Sequence, residues 1–288
     1  MKKKNYFWSM PVMIVAAVFS VGLISCGDDD DEENVDLPES VTPGLFNGVR
    51  ITQAGNIFYT YSSEGKLQSA HDSYYYYNFS EDMKTVERPK TANTTYDNSA
   101  TYYLTYNKNV YVSTLKYEYP YKSYYGYTAT FTYDRNGCLT KIEGGIDYKE
   151  ITLEWKDEYI MGGGVGYGQT AGHGYTNVYT FYNIEGNNKN TTRQYSIEIA
   201  DMLYEDFYAV LAHLGLLGKG PAYLPDDYTS YVNDNNEWEG VDNHTPRAGR
   251  IQYTFNSTSG VIEEEDIAAA REGLSRKIHY FRYDKWKY

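Results

Sequence analysis

The segment from Phe131 to Ile142 leaves this chain few folds to choose from. Its approach places Thr128, Thr130 and Thr132 on one face and Ala129, Phe131 and Tyr133 on the other. That is the two-residue period of a strand buried on one side. Asp134-Arg135-Asn136-Gly137 follows. Asp at the first turn position accepts from the turn backbone, and Gly at the fourth takes a positive φ without steric cost. Leu139 to Ile142 returns as a second strand. The same unit recurs from Tyr59 to Leu67, turning at Ser62 to Gly65, and one residue longer from Tyr253 to Ile262. Repeated strand, tight turn and strand predict an antiparallel meander.

The rest of the chain extends that pattern. Asn56 to Tyr61 and Lys66 to His71 form a first hairpin. Tyr74 to Tyr77 reads as a third strand with tyrosines on both faces, and Lys84 to Asn98, which holds Pro89, reads as a loop. Thr101 to Tyr106 pairs with Val110 to Leu115, and Ile151 to Trp155 with Tyr159 to Met161. Gly162 to Gly174 reads as a flexible glycine loop, Asn177 to Tyr182 as a strand, and Pro221 to Tyr231 as a loop. Strands resume at Arg250 to Phe255 and Lys277 to Tyr288, with a short helix between them where Glu263 to Asp266 precedes Ile267 to Ala270.

One helix, at about 200–217, interrupts the strands. Ile199, Leu203, Phe207, Val210, Leu211 and Leu214 recur at spacings of three and four, a single apolar stripe. Asp201 and Glu205 suit its positive end, and Gly215 and Gly218 supply stop signals. A helix with one apolar face covers something, and the expected target is an open end or face of the sheet. The predicted fold class is mostly β: an antiparallel meander forming a strongly curved sheet or open barrel, with one helix packed on it late in the chain.

Tyr accounts for 35 of the 288 residues, which with Thr is strand composition. The net charge of -13 argues against charge-driven binding of nucleic acid or anionic lipid headgroups, which need Lys and Arg on the protein.

The N-terminus reads as an address. Lys2-Lys3-Lys4 precedes a mostly apolar run from Pro11 to Ile24, short of the roughly 20 residues that span a bilayer and suited to the core of a signal peptide. Leu23-Ile24-Ser25-Cys26 resembles the bacterial lipobox, which implies cleavage before Cys26 and lipid attachment to its thiol. Cys138 would then be left alone, so no disulfide forms within the mature chain. Asp28 to Glu33, six consecutive acids, will not fold. The run resembles the acidic export tag of Bacteroidetes surface lipoproteins, which implies the outer leaflet of the outer membrane; the alternatives are a plain solvated spacer and the periplasmic face. The expected organisation is a signal peptide over 1–25, a lipidated Cys and flexible tether over 26–45, and a single β domain over 46–288.

The Tyr-x-Tyr, turn, Gly, Leu unit resembles the Tyr-Asp repeat of large shell-forming bacterial toxins, with Tyr133-Asp134, Gly137 and Leu139 the nearest match. Its spacing here is too irregular for a closed shell. Cys26, the acids of 28–33, the hairpins at Tyr61 to Leu67 and Tyr133 to Ile142, the late helix and Leu224-Pro225 together resemble a family of Bacteroidetes lipoproteins. That family carries a domain of unknown function described as porin-like. The resemblance implies a curled antiparallel sheet and carries over no catalytic residue.

Motifs for zinc proteolysis, nucleotide binding, serine hydrolysis and zinc ribbons are absent from the sequence. His71, His173, His213, His244 and His279 show no ligand spacing, and His173, in the glycine loop, is the one to test. Asp226-Asp227 and Asp234 to Glu237 do not fit a calcium loop. Neither a metal nor a cofactor is expected. Tyr74, Tyr76, Tyr119, Tyr121 and Tyr125 are the candidate rings for stacking on a ligand, against the simpler reading that strand tyrosines pack internally.

Three functions follow from these features. The first is a lipid-anchored envelope protein that binds a glycan or an envelope protein. The second is a glycan hydrolase using carboxylates that sequence does not single out. The third is an outer-membrane barrel. Lys116, Glu118, Lys141, Glu143, Arg282 and Asp284 recur within the strands on both faces and weigh against the third, since Lys or Arg facing mid-membrane lipid costs about 2–4 kcal/mol.

Overall fold

The computed structural model describes residues 35–38, 41–90, 98–119, 126–145, 150–166, 175–182, 188–203, 206–234, 247–269 and 277–285. The chain divides into two compact units, Met1–Asp31 and Glu32–Tyr288, and the described residues belong to the second.

The strands are β1 (Leu45–Phe46), β2 (Val49–Ala54), β3 (Ile57–Tyr61), β4 (Leu67–His71), β5 (Tyr76–Phe79), β6 (Thr85–Arg88), β7 (Ala100–Tyr106), β8 (Val112–Glu118), β9 (Tyr127–Tyr133), β10 (Leu139–Glu143), β11 (Glu150–Lys156), β12 (Tyr159–Gly166) and β13 (Tyr175–Tyr182). Helices α1 (Ile197–Asp201) and α2 (Asp206–His213) come next, then β14 (Asp227–Asp234), β15 (Arg247–Phe255), β16 (Ile262–Ala269) and β17 (Lys277–Lys285). From β2 onward each strand pairs antiparallel with the next. Strand β17 returns to β2 through Phe281↔Ala54 and Tyr283↔Ile51. The meander therefore closes into a 16-stranded antiparallel barrel.

Tight turns gather at one end and share one chemistry. At Asp134, Oδ1 accepts from the N–H groups of Asn136 and Cys138, both at 2.9 Å, and Gly137 sits at φ +81°. Asn256 Oδ1 accepts from Thr258 and Ser259, and Ser62 Oγ from Glu64 and Lys66. Asn107 does the same for Asn109 and Tyr111, but its turn places Val110 at φ +62°. A β-branched residue there is strained by roughly 1–2 kcal/mol. Val110→Gly is expected to raise stability by about 0.5–1 kcal/mol once glycine's extra chain entropy is subtracted. A calorimetric scan checks this, and a fall in melting temperature would contradict it.

Rings of 16 strands enclose a lumen wide enough for an aqueous channel unless something fills it. Here the chain fills it. Of the eight residues of α2, the seven from Phe207 to His213 are buried, as befits a helix apolar on every side. Its contacts come from around the ring. Phe207 packs on Tyr77, Phe79 and Tyr102, with the Tyr102 ring at 4.3 Å. Tyr208 meets Phe131 edge-on, and His213 meets Tyr59 and Phe281. The helix is thus a plug inside the wall, not a cover over an open end or face, and its single stripe is part of a wholly apolar surface.

Inward tyrosines cap carbonyls that the packing leaves over. Tyr106 donates to Met83 O, Tyr133 to Val112 O and Tyr195 to Leu217 O, at 2.7, 2.6 and 2.9 Å. Glu265, wholly buried on β16, reaches into the lumen and accepts from Ile197 N at 2.6 Å and Glu198 N at 3.2 Å. It therefore caps α1 from the wall. Glu265→Leu removes the acceptor of the buried Ile197 N–H, which costs about 1–3 kcal/mol, and one from the part-buried Glu198 N–H. Urea unfolding of Glu265→Leu beside Glu265→Gln, which keeps one acceptor, is expected to rank Leu the less stable by at least about 1 kcal/mol. Equal midpoints would contradict the cap.

Several local expectations need correction. Strand β6 occupies part of the presumed Lys84–Asn98 loop. Tyr74 precedes β5, which starts only at Tyr76. Residues 263–266 lie in β16 and not in a helix. Gly162 to Gly166 lie in β12, where Gly163 faces Met202 of the plug. A Cβ at Gly163 would stand 2.3 Å from Thr152 O and 3.3 Å from the Met202 methyl. The glycines there let wall and plug approach. Residues 227–231 begin β14 instead of continuing a loop.

Candidate functional site

The barrel has two unlike ends. Tight turns at Ser62, Ser80, Asn107, Asp134 and Asn256 crowd one end. There the N-terminal segment is fastened by Val35 N to Tyr106 O (3.1 Å) and by Asp36 to Lys84 (2.5 Å). The longer connections after β6, β8 and β14 leave from the other end, as does the four-residue link 72–75.

A row of outward rings runs across β3, β4 and β5 near the long-loop end. Phe58, His71 and Tyr76 sit directly opposite one another in register. Their ring centroids are 5.4 Å apart at each step, with interplanar angles of 21° and 10°. Such spacing is offset stacking. Ser69 donates to the Tyr76 hydroxyl at 3.0 Å and shares a 2.6 Å bond with Thr60, which holds the row from below. Tyr74, 71% exposed, stands beside it on a loop pinned by Asp72, whose Oδ1 accepts from Tyr74 N and Tyr75 N. Phe58 and Tyr76 are each 41% exposed. The central His71 ring is flanked on both faces, so the faces open to a ligand are the outer ones of Phe58 and Tyr76, and Tyr74.

Behind this row the mouth of the barrel is aromatic and charged. Arg88 lies 4.9 Å from the Tyr75 ring, donates to Tyr117 Oη and to Asn98 O at 2.9 Å each, and faces Tyr102. Tyr119 stands edge-on to Tyr117 at 4.6 Å, and Tyr127 stacks on Tyr117 at 4.8 Å. Asp206 begins α2 here; burial, and then the neighbouring Asp72, push its carboxyl above the usual range.

Of the rings expected to bind, Tyr74 and Tyr76 are exposed and adjacent, while Tyr119 is half-buried in the Arg88 cluster. Tyr121, Tyr125, His173 and Cys26 lie outside the described residues. Phe58 and His71 join the site only through strand register, which alternation within one strand cannot reveal. Among the described residues no group of His, Cys, Asp and Glu is placed to hold a metal. Cys138 is a buried free thiol, pushed up to about 11 by burial and then by Asp134.

The six strand charges weighed against a membrane barrel all face outward. Lys116 pairs with Glu118 at 2.6 Å, and Lys141 with Glu143 and Glu150 at 2.7 and 3.1 Å. Arg282 lies over Tyr280, and Asp284 follows on the same face. These six residues therefore occupy one face, not both. The inner face carries Ala129, Phe131, Leu115, Tyr117 and Ile142. Among the described residues no helix is long and apolar enough to cross a membrane.

No family model and no curated protein matches this chain. Solved structures that share its fold include two porin-like proteins. A porin-like protein from Bacteroides uniformis ATCC 8492 aligns with a TM-score of 0.52 and 17% identity, over 79% of this chain and 89% of its own. A porin-like protein from Bacteroides vulgatus ATCC 8482 aligns with a TM-score of 0.51 and 9% identity, over 84% of this chain and 100% of its own. The likeness is one of fold.

Proposed function

We propose that this protein is a lipid-tethered barrel of the bacterial envelope that holds a partner, a glycan or an envelope protein, at its long-loop end and conducts no solute. The observation that carries the reading is the pairing of a lumen filled by the chain's own helices with an outer wall studded with charge. A conducting barrel needs the opposite arrangement, a polar lumen and an apolar outer band. Val35 and Asp36 are fastened at the tight-turn end, opposite the end that carries the exposed rings of Phe58, Tyr74 and Tyr76.

A second reading, an integral outer-membrane barrel, is favoured by the closed ring and the porin-like neighbours. Strand length weighs against it. Strands β3 to β6 have five, five, four and four residues, where crossing takes about 9–11.

Glycan-array and envelope pull-down assays test the first reading with the full-length protein and with Tyr74→Ala/Tyr76→Ala. The double variant is expected to lose at least about fivefold in affinity, because aromatic stacking and edge contacts are worth roughly 0.5–1.5 kcal/mol per ring. No captured glycan or protein, or a variant that binds as well as the parent, would remove it. Stepwise conductance in planar bilayers would favour the second reading, and cleaved sugars on the array a glycan-active hydrolase.

A further inference from the structure

Closure of the barrel brings two further side chains beside the ring row. Arg282 on β17 sits opposite Gln53 on β2, and Gln53 opposite Phe58. All three point outward, since Phe281, Ala54 and Ile57 beside them are buried. Paired strands lie about 4.8 Å apart. The outer face of the Phe58 ring therefore looks across Gln53 toward Arg282.

Arg282 is laid over the Tyr280 ring, 5.0 Å from its centroid, and Tyr280 is 41% exposed. The strand beneath is tied to the turn between β2 and β3 by Gly55 N, which donates to Tyr280 O at 2.9 Å. Gln53 Nε2 donates to Gly55 O at 2.8 Å, which fixes the amide and leaves its oxygen to accept from a ligand. The seam thus holds a shallow slot with an apolar ring face on one side, a guanidinium on the other and an amide at its floor.

We infer that this slot seats a pyranose ring of a neutral glycan, its C–H face on Phe58 and its hydroxyls on Gln53 and Arg282. The inference rests on the reading that the long-loop end holds a partner, and it names that partner's class. A sugar ring is apolar on its C–H face and edged by hydroxyls, so a flat ring flanked by a few fixed polar groups suffices to hold it. A protein needs more. Stable partners cover about 800 Å² on each side around an apolar centre. Here the rings form a strip one residue wide. The next outward positions toward the tight turns are Thr60, Ser69 and Asn78, in register with one another.

Charge argues for a neutral sugar. Glu264 pairs with Tyr280 and so lies diagonal to Arg282, and Asp284 follows Arg282 on the same face. With carboxylates on two sides the guanidinium gives the slot no excess positive charge, and a chain of net charge -13 repels polyanions.

End-labelled fluorescent hexasaccharides of glucose, galactose, mannose and galacturonate test this by anisotropy, with the full-length protein in a sugar-free neutral detergent. At least one of the neutral chains is expected to bind more tightly than galacturonate. Phe58→Leu, which keeps apolar bulk and loses the flat face, is expected to weaken that chain about threefold or more. Arg282→Met is expected to weaken it by a similar factor, and Phe58→Tyr to bind it like the parent. Binding that Phe58→Leu and Arg282→Met leave unchanged, while Tyr74→Ala/Tyr76→Ala weakens it, would overturn the slot and leave the partner reading standing. Tighter binding of galacturonate would overturn the neutral class. Binding of none of the four would overturn the inference outright, and a protein captured in the pull-down would then keep the partner reading alone.

Discussion

Phe207→Ala is expected to lower the free energy of unfolding by about 3–5 kcal/mol, the range for deleting a fully packed aromatic ring. Phe207 is 3% exposed and its ring contacts three wall rings, Tyr77, Phe79 and Tyr102, at 5.0, 6.3 and 4.3 Å. Its partners come from β5 and β7, so the cavity left behind is bounded by barrel strands that cannot collapse inward without breaking the ring. Denaturant titration followed by near-ultraviolet circular dichroism measures the change. A loss of less than about 1 kcal/mol, the size seen for surface changes and small trimming, would mean that α2 does not pack against the wall.

Acid is expected to destabilise the barrel through His213. This side chain sits at the end of α2, 3% exposed, with Nδ1 3.3 Å from the Tyr59 hydroxyl and Nε2 without a hydrogen-bond partner. Burial, and then the nearby His279, pull its pKa down to about 3. In the unfolded chain the imidazole titrates near 6.5. The unfolded state therefore binds the proton first, and the contribution is whole above pH about 6.5 and is lost as the pH falls toward about 3. At 1.36 kcal/mol per unit the full loss is about 5 kcal/mol. His279, half-buried on β17, is also pulled down, by burial and then Lys277, and acts in the same sense. His213→Gln, which can still bond Tyr59, is expected to flatten stability between pH 6.5 and 4 relative to the parent. Parallel pH profiles for the two proteins would contradict an uncharged His213 in the lumen.

The hairpins were legible because their causes are local. The face alternation of Thr128 to Tyr133 and the Asp134, Ser62 and Asn256 turns stand in the structure as read. Closure was not legible, because Phe281↔Ala54 joins residues more than two hundred positions apart and no local pattern names a strand's second neighbour. The plug did leave a signal. From Phe207 to Leu217 there is no charged residue, so the helix has no solvated face, and a helix without one belongs inside. Glu263 to Asp266 misled because an acidic run opening onto alanines suits a helix start. In β16 its alternation sends Glu265 inward to cap α1 and Glu264 outward. At the candidate site Tyr74 and Tyr76 were legible as a tyrosine cluster beside a turn. Phe58 and His71 were not, since register alone brings them alongside.

The central claim is that the protein's own helix occupies the lumen of a closed wall, and amide hydrogen exchange over residues 206–217 tests it most directly. The account predicts that these amides exchange as slowly as those of β7 and β8, because opening them requires opening the barrel. Exchange of α2 as fast as that of the tight turns, with the wall strands still protected, would contradict it.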